Sequence, residues 1–269
     1  MDQEHLEVAV RAARAGAVEL MARRDSRVVS EKSPRDLVTD ADVAAQRAIR
    51  GILEASFPGY AFVGEEQGEN QPPEAVRNNE PGAPPCWIVD PLDGTVNFVH
   101  RLQNFAVSIG LYAQGKMRLG VIYDPVYQEL FTAIDGGPAL CNGRVMRTSG
   151  CSRLEDALVA CSFPAGIRRD SPEIERFLKV LESCRSLRRL GSCALNMCYV
   201  ADGRLDAYWA TSVYCWDSAA GIVICRQAGA TLSRYDGGEL DDWVPQFCVS
   251  ASDELHHPLT RLLAGGSET

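Results

Sequence analysis

The sequence predicts an α+β fold, and three observations predict it. Amphipathic helices come first, a run of consecutive strands joined by turn signals follows, and alternating helices and strands complete the chain. Leu6, Val10, Ala13, Ala17 and Leu20 recur at spacings of four and three, which predicts the first helix. The second begins near Thr39, where Thr39-Asp40-Ala41-Asp42 fits a capping box. Ala45, Ile49, Ile52 and Leu53 share one of its faces, and Pro58-Gly59 closes it. A short strand, Ala61-Phe62-Val63, leads into Gly64-Glu65-Glu66. Residues 67–85 hold five prolines and many polar residues, the composition of a surface loop. Cys86-Trp87-Ile88-Val89 forms the next strand and ends at Asp90-Pro91.

From about 105 to 148 the pattern is strand after strand. Phe105–Tyr112, Met117–Tyr123 and Leu130–Ile134 are separated by Gln114-Gly115 and Asp124-Pro125, with Gly136-Gly137 beyond, and together predict an antiparallel meander. Then come strand 157–163, helix 172–183 capped by Ser171 with Pro172 at its first position, strand 186–190, and helix 193–202 ending at Gly203. Strand 205–210, helix 217–228, strands 231–235 and 247–251 and a short C-terminal helix finish the order. No internal repeat or linker interrupts it. We place a division at 148/149, giving parts 1–148 and 149–269 of one compact unit.

With 46% apolar and 23% charged residues over 269 positions, the chain has ordinary globular composition and can bury one large core or two modest ones. Its net charge of −9 argues against a nucleic-acid or membrane-surface binder. An anionic substrate stays open, because bound cations invert a local field. The polar start Met1-Asp2-Gln3-Glu4-His5 shows no secretory signal, and no apolar run approaches the roughly 20 residues of a membrane span. Ten cysteines lack any Cys-x-x-Cys pair, and some lie in apolar segments such as Ile222-Val223-Ile224-Cys225. They read as reduced, buried thiols of a cytoplasmic protein. The four histidines form no ligand-spaced group, so zinc chemistry fits poorly.

The acids carry the chemistry. Glu65-Glu66 follow a strand, Asp90 ends another, Asp93 comes three residues later across Pro91-Leu92, and Asp217 opens a late helix after Trp216. Strand ends and helix starts converge at one edge of a sheet, and hard oxygen donors suit Mg²⁺. A helical turn at Gly94-Thr95 would offer free N–H groups to a phosphate. Taken singly, each acid has a plainer role: Asp90 and Asp93 in an ordinary turn, Asp42 as a cap, Glu65 in a solvated loop, Asp217 at a helix start. Their combination carries the argument.

Trp87-Ile88-Val89-Asp90-Pro91-Leu92-Asp93-Gly94-Thr95-Val96-Asn97-Phe98 resembles the first signature of the inositol monophosphatase family, and Trp216-Asp217-Ser218-Ala219-Ala220-Gly221 resembles its second. Asp36–Asp42, Phe62–Glu66, Gly120–Pro125, Cys141-Asn142-Gly143 and Asn196-Met197 fall where the family carries similar stretches, so the resemblance runs from about residue 5 to 252. It implies a layered α-β-α-β-α sandwich, as in fructose-1,6-bisphosphatase, and a homodimer. It implies a Mg²⁺-dependent, lithium-sensitive phosphomonoesterase with two to three ions per subunit, Mn²⁺ substituting, in which a metal-activated water attacks a small phosphate ester.

By the same resemblance, Asp90 bridges two metals, Glu65 and the Leu92 carbonyl complete one site, and Asp93 and Asp217 hold the other. Thr95, hydrogen-bonded to Asp42, helps Glu65 activate the water, while Gly94 and Thr95 amides hold the phosphate. Gly191, Ser192, Cys193, Ala210, Asp93 and Asp217 fall in the substrate-lining region. Lys32 precedes Asp36 in a segment that forms a mobile active-site loop in the family. Ala210 departs from the pattern, because inositol-phosphate-hydrolysing members commonly place Glu there. The implied substrate is inositol monophosphate or a related polyol or sugar phosphate, with Glu173 or Glu175 as another source of the missing acid. Histidinol phosphate or a nucleotide phosphate is the alternative substrate, and a regulatory binding protein that keeps the fold is the alternative function.

Overall fold

The computed structural model describes residues 3–25, 28–33, 36–66, 71–164 and 166–265. Their helices are α1 (Gln3–Arg23), α2 (Asp40–Ser56), α3 (Glu74–Arg77), α4 (Thr95–Val99), α5 (Pro172–Ser183), α6 (Cys193–Ala201), α7 (Cys215–Gln227) and α8 (Asp253–Leu263). A hairpin of β1 (Val29–Ser33) and β2 (Asp36–Thr39) precedes α2. The larger sheet has seven strands in chain order: β3 (Ala61–Gly64), β4 (Cys86–Asp93), β5 (Ala106–Ala113), β6 (Lys116–Asp124), β7 (Glu129–Ile134), β8 (Leu140–Cys141) and β9 (Arg144–Val145). β3 and β4 run parallel; every later neighbour in the sheet is antiparallel, as the meander predicts. The smaller sheet comprises β10 (Leu158–Ser162), β11 (Ser186–Arg188), β12 (Ala207–Ala210), β13 (Thr231–Arg234) and β14 (Phe247–Ser250), in the order β11-β10-β12-β14-β13.

Side-chain alternation turns these elements into layers. Trp87 and Val89 of β4, with Val107, Ile109 and Leu111 of β5, face a core shared with Ala9, Ala13 and Leu20 of α1 and Ala45, Ile49 and Leu53 of α2. Cys86 and Ile88 face the opposite way, into a core filled by α6 and α7. The smaller sheet closes that middle core with Tyr208, Ala210, Phe247 and Val249, and turns Ala207, Trp209 and Cys248 toward Val180 of α5 and Leu255, Leu259 and Leu263 of α8. Helix, sheet, helix, sheet, helix is the resulting stack. The fold is the α-β-α-β-α sandwich of the α+β class.

Several boundaries differ from the sequence reading, each for a local reason. β4 does not stop at Asp90 but continues through Pro91 to Asp93, with a register irregularity against β5 between Asp90↔Ser108 and Asp93↔Ala106. Pro91 has no N–H to give a ladder, and an irregularity is where a strand tolerates it. The proline-rich stretch, of which 67–70 lie outside the described residues, contains α3: Pro73 precedes it, Val76 is buried, and Glu74 and Arg77 sit at the ends their charges favour. Ser171 makes no side-chain cap to α5; its hydroxyl accepts the Arg168 amide instead, at 2.9 Å. All ten cysteines are free, and Cys151 and Cys184 alone are not fully buried.

Candidate metal centre

β4 is buried at all eight positions and delivers two acids at its irregular end. The Leu92 amide donates to Asp90 Oδ1 at 2.9 Å, which bends the chain around Asp90, while the Leu92 side chain anchors in the core. Gly94 then turns at φ +94°, where a Cβ would stand 2.9 Å from the Asn104 carbonyl, so glycine is needed on both counts. α4 follows at once. The Thr95 hydroxyl lies 3.1 Å from the Leu92 carbonyl and 3.4 Å from Asp42 Oδ1, one proton facing two acceptors.

Three helices direct their first turns toward these acids. Asp42 is the third residue of α2; it accepts the Thr39 amide at 2.9 Å and the Thr39 hydroxyl, the capping box the sequence predicts. Asp93 receives the start of α6: the Cys193 and Ala194 amides donate to it at 3.0 and 2.9 Å, and the Ser192 hydroxyl also donates. Asp217 in α7 accepts the Tyr214 amide at 2.7 Å. Helix N-termini favour negative charge, which offsets part of the cost of crowding carboxylates.

That cost falls on the ionisation of the acids. Asp90, Asp93 and Asp217 each offer an oxygen within 4.8 Å of the others. Burial, then the charges of Glu65, Asp217 and Asp93, push the Asp90 carboxyl well above the usual carboxylate range. Asp217 is raised by burial, Asp93 and Glu65, and Asp93 by burial against the opposing pull of Ser192 and the α6 amides. Asp42 rises to about 7 through burial, with Glu65 and Glu66 adding to it and Thr39 opposing. Among the described residues, no cation figures among the leading causes for any of the four.

The structure thus brings Asp90, Asp93 and Asp217 together, sets Thr95 and Gly94 beside them, and puts Asp42 behind Thr95. Glu65 stands just outside the tight trio, close enough for its charge to act on all four acids. Ser192 and Ala210 have no exposed surface and Cys193 has little, so of the expected substrate-lining group Gly191 is exposed and Gly94, Thr95 and Asp217 are partly exposed. Ala210 lies on the same face of β12 as Tyr208. Thr211, the next residue, donates to Glu173 at 3.3 Å, whereas Glu175 is exposed and pairs with Lys179 at 2.8 Å. The side chains of Lys32 and Asp36 lie outside the described residues.

Two amide side chains near the site went unread in the sequence. Asn97 donates from Nδ2 to the Asn104 and Leu190 carbonyls at 2.7 and 2.8 Å, fastening α4 to the loop that starts α6. Gln46 makes two hydrogen bonds to Glu66. The available signal for Gln46 was a polar residue one turn after Asp42 in a helix face otherwise apolar.

Residues 1–265 match the inositol monophosphatase family. This chain belongs to that family. It is 40% identical over 228 residues to an inositol-1-monophosphatase of Mesorhizobium japonicum, covering 84% of this chain and 82% of the relative. It is also 40% identical over 246 residues to the Nus factor SuhB of Pseudomonas aeruginosa, with 87% of each covered. Among solved structures, the extragenic suppressor protein suhB of Bartonella henselae superposes with a TM-score of 0.87 at 34% identity, covering 98% of this chain and all of the other. The inositol monophosphatase family is of phosphatase type, generally metal-dependent, and acts on small phosphorylated substrates. Among the described residues, no helix is long and apolar enough to cross a membrane.

Proposed function

We propose that this chain is a Mg²⁺-dependent phosphomonoesterase acting on inositol monophosphate or a related polyol or sugar phosphate. The observation that carries the reading is the convergence of Asp90, Asp93 and Asp217 within 4.8 Å, in a setting that raises all three. An all-oxygen donor set without His or Cys fits Mg²⁺, with Mn²⁺ as substitute. In this reading Asp90, Asp93 and Asp217, with Glu65 and the Leu92 carbonyl, would hold the ions. When bound, such ions neutralise the phosphate and lower the pKa of a coordinated water.

The chain's own residues position and move protons. Thr95 and Glu65 orient the attacking water; as its oxygen bonds to phosphorus and the ester oxygen leaves, the water passes a proton to the Thr95 hydroxyl, which passes its own to Asp42. The Gly94 and Thr95 amides hold the phosphate. The family resemblance adds a homodimer and sensitivity to Li⁺.

Phosphate release from about twenty esters, including inositol 1-phosphate, glycerol 2-phosphate, histidinol phosphate and nucleotide phosphates, tests this reading directly. Activity is expected with Mg²⁺, is abolished by EDTA and falls in millimolar Li⁺. Full activity in the chelator would sink it. With Ala210 in place of a glutamate, inositol 1-phosphate is expected to be a modest substrate. Losing one charged hydrogen bond to a ring hydroxyl typically costs about 1.5–3 kcal/mol, or roughly 10- to 150-fold.

A second reading, a regulatory binding protein, is favoured by one observation: a relative as similar as the Mesorhizobium enzyme carries the name Nus factor SuhB. Absence of phosphate release from every ester, in a protein that still binds Mg²⁺, would favour it.

A further inference from the structure

β3 ends at Gly64, its last residue paired with β4, and the Glu65 amide still reaches the Val89 carbonyl at 3.2 Å. At Glu66 a side chain takes over from the sheet. Gln46 Nε2 donates to the Glu66 carbonyl at 2.7 Å, and the Glu66 amide donates to Gln46 Oε1 at 2.9 Å. One side-chain amide therefore pairs with both polar groups of one residue, as a neighbouring strand would. Reversing the amide would set donor against donor and acceptor against acceptor, so the two bonds also fix its orientation. Gln46 is 2% exposed, and a buried amide is tolerated there because both ends are bonded. Gly64 leaves it room, for a Cβ at that position would lie 2.6 Å from Gln46 Oε1.

The location gives the clamp a purpose. Gln46 lies one turn beyond Asp42 on the buried face of α2, so one rigid helix holds both Asp42 and the segment carrying Glu65. Glu65 sits directly between the β3–β4 pairing and the Glu66 backbone that Gln46 holds. We infer that Gln46 is a positioning residue: by clamping the Glu66 backbone it holds the adjacent Glu65 beside Asp90 and Asp93, ready for a divalent cation. The inference rests on the metal-dependent reading of the site.

Gln46→Met keeps the volume and removes both hydrogen bonds; Gln46→Glu keeps an acceptor for the Glu66 amide. Mg²⁺ binding is measured by calorimetry, and kcat and KM with glycerol 2-phosphate at saturating Mg²⁺. Gln46→Met should weaken Mg²⁺ binding and lower kcat by about 10- to 100-fold, as loss of an outer partner of a metal ligand does. KM should change little, the metal-free melting temperature should fall because the Glu66 amide and carbonyl lose their partners, and Gln46→Glu should recover part of the loss of Mg²⁺ affinity and kcat. Wild-type Mg²⁺ affinity and kcat in Gln46→Met, or equal damage in both variants, would overturn the inference. Hydrogen exchange at the Glu66 amide of the wild type tests the clamp even if Gln46→Met does not fold: slow exchange supports it, and fast exchange in the folded protein refutes it. A wild type that neither binds Mg²⁺ nor releases phosphate removes the enzymatic reading while leaving the exchange result to judge the clamp itself.

Discussion

Asp90 is buried and stands among three other carboxylates. Burial and three neighbouring carboxylates raise it, and one backbone amide, from Leu92, opposes them. A residue kept only for a turn would not need such a place. Asp90→Asn keeps the shape and the acceptor for Leu92 but removes the charge. We expect activity to fall more than about 100-fold, beyond the loss typical of outer partners, while the metal-free protein melts at the same or a higher temperature because a neutral amide adds no repulsion at any pH. Turnover and melting measured on one preparation check this, and near-normal turnover would reduce Asp90 to a turn residue. Asp90, Asp93 and Asp217 were legible in the sequence because two signatures carry them. Ser192 was legible only as a substrate-lining position, yet its hydroxyl donates to Asp93 and caps α6 through Leu195. Gln46 was hidden because its partner is backbone, and a side chain that bonds backbone has no fixed partner type to look for.

α7 shows how an element places a residue. It is buried on nearly every side, between the larger sheet and α6. It approaches the sheet through small residues: a Cβ at Gly110 would lie 2.7 Å from Ala219 Cβ, and one at Gly120 would lie 2.3 Å from the Ala220 carbonyl oxygen. Backbone cannot yield as a flexible side chain can, so Gly120→Ala must shift α7 and Asp217 with it. The expected cost is about 1–3 kcal/mol of stability, typical of overpacking, together with a loss of Mg²⁺ affinity. A melting curve and a Mg²⁺ titration read the two effects, and unchanged affinity would mean that Asp217 does not ride on this contact. The sequence reading started α7 at Asp217, whereas the helix begins at Cys215. A helix apolar all round has no periodic edge to mark its first residue. The meander was read almost to the residue, because turn signals bound each of its strands. The β8–β9 hairpin, two residues a side, was too short to show alternation.

Across the whole molecule, the layer order was legible only through the family resemblance, since amphipathic patterns say which face is buried but not against what. The layers bring two opposing titrations into one protein. The carboxyls of Asp42, Asp90, Asp93 and Asp217 titrate above the 3.8 of an unperturbed aspartate, first because they are buried. As pH rises from about 4 the unfolded chain has given up these protons while the folded protein holds them, so stability is lost progressively up to their folded values. His256 acts the other way. Buried between Ser250 and Ser233 at 3.1 and 2.8 Å, it is lowered from 6.5 to about 4, so its contribution is lost as pH falls through that interval. Above pH 6.5 the unfolded His256 sheds its remaining proton and its contribution fades, so the raised carboxyls, joined toward pH 8 by the raised buried thiols, set the sign of the slope. Between pH 6.5 and 8, therefore, the melting temperature in EDTA should fall as pH rises. Cations bind the ionised carboxylates, so the increment from Mg²⁺ should grow over the same interval. Asp217→Asn should flatten the metal-free slope, because it removes a titrating group that burial, Asp93 and Glu65 all raise. Melting curves at half-unit steps, with EDTA and with Mg²⁺, decide the matter. A metal-free melting temperature that stays level or climbs over that interval would show that these acids are not held protonated by one another, and with that the electrostatic case for a cation site would fail.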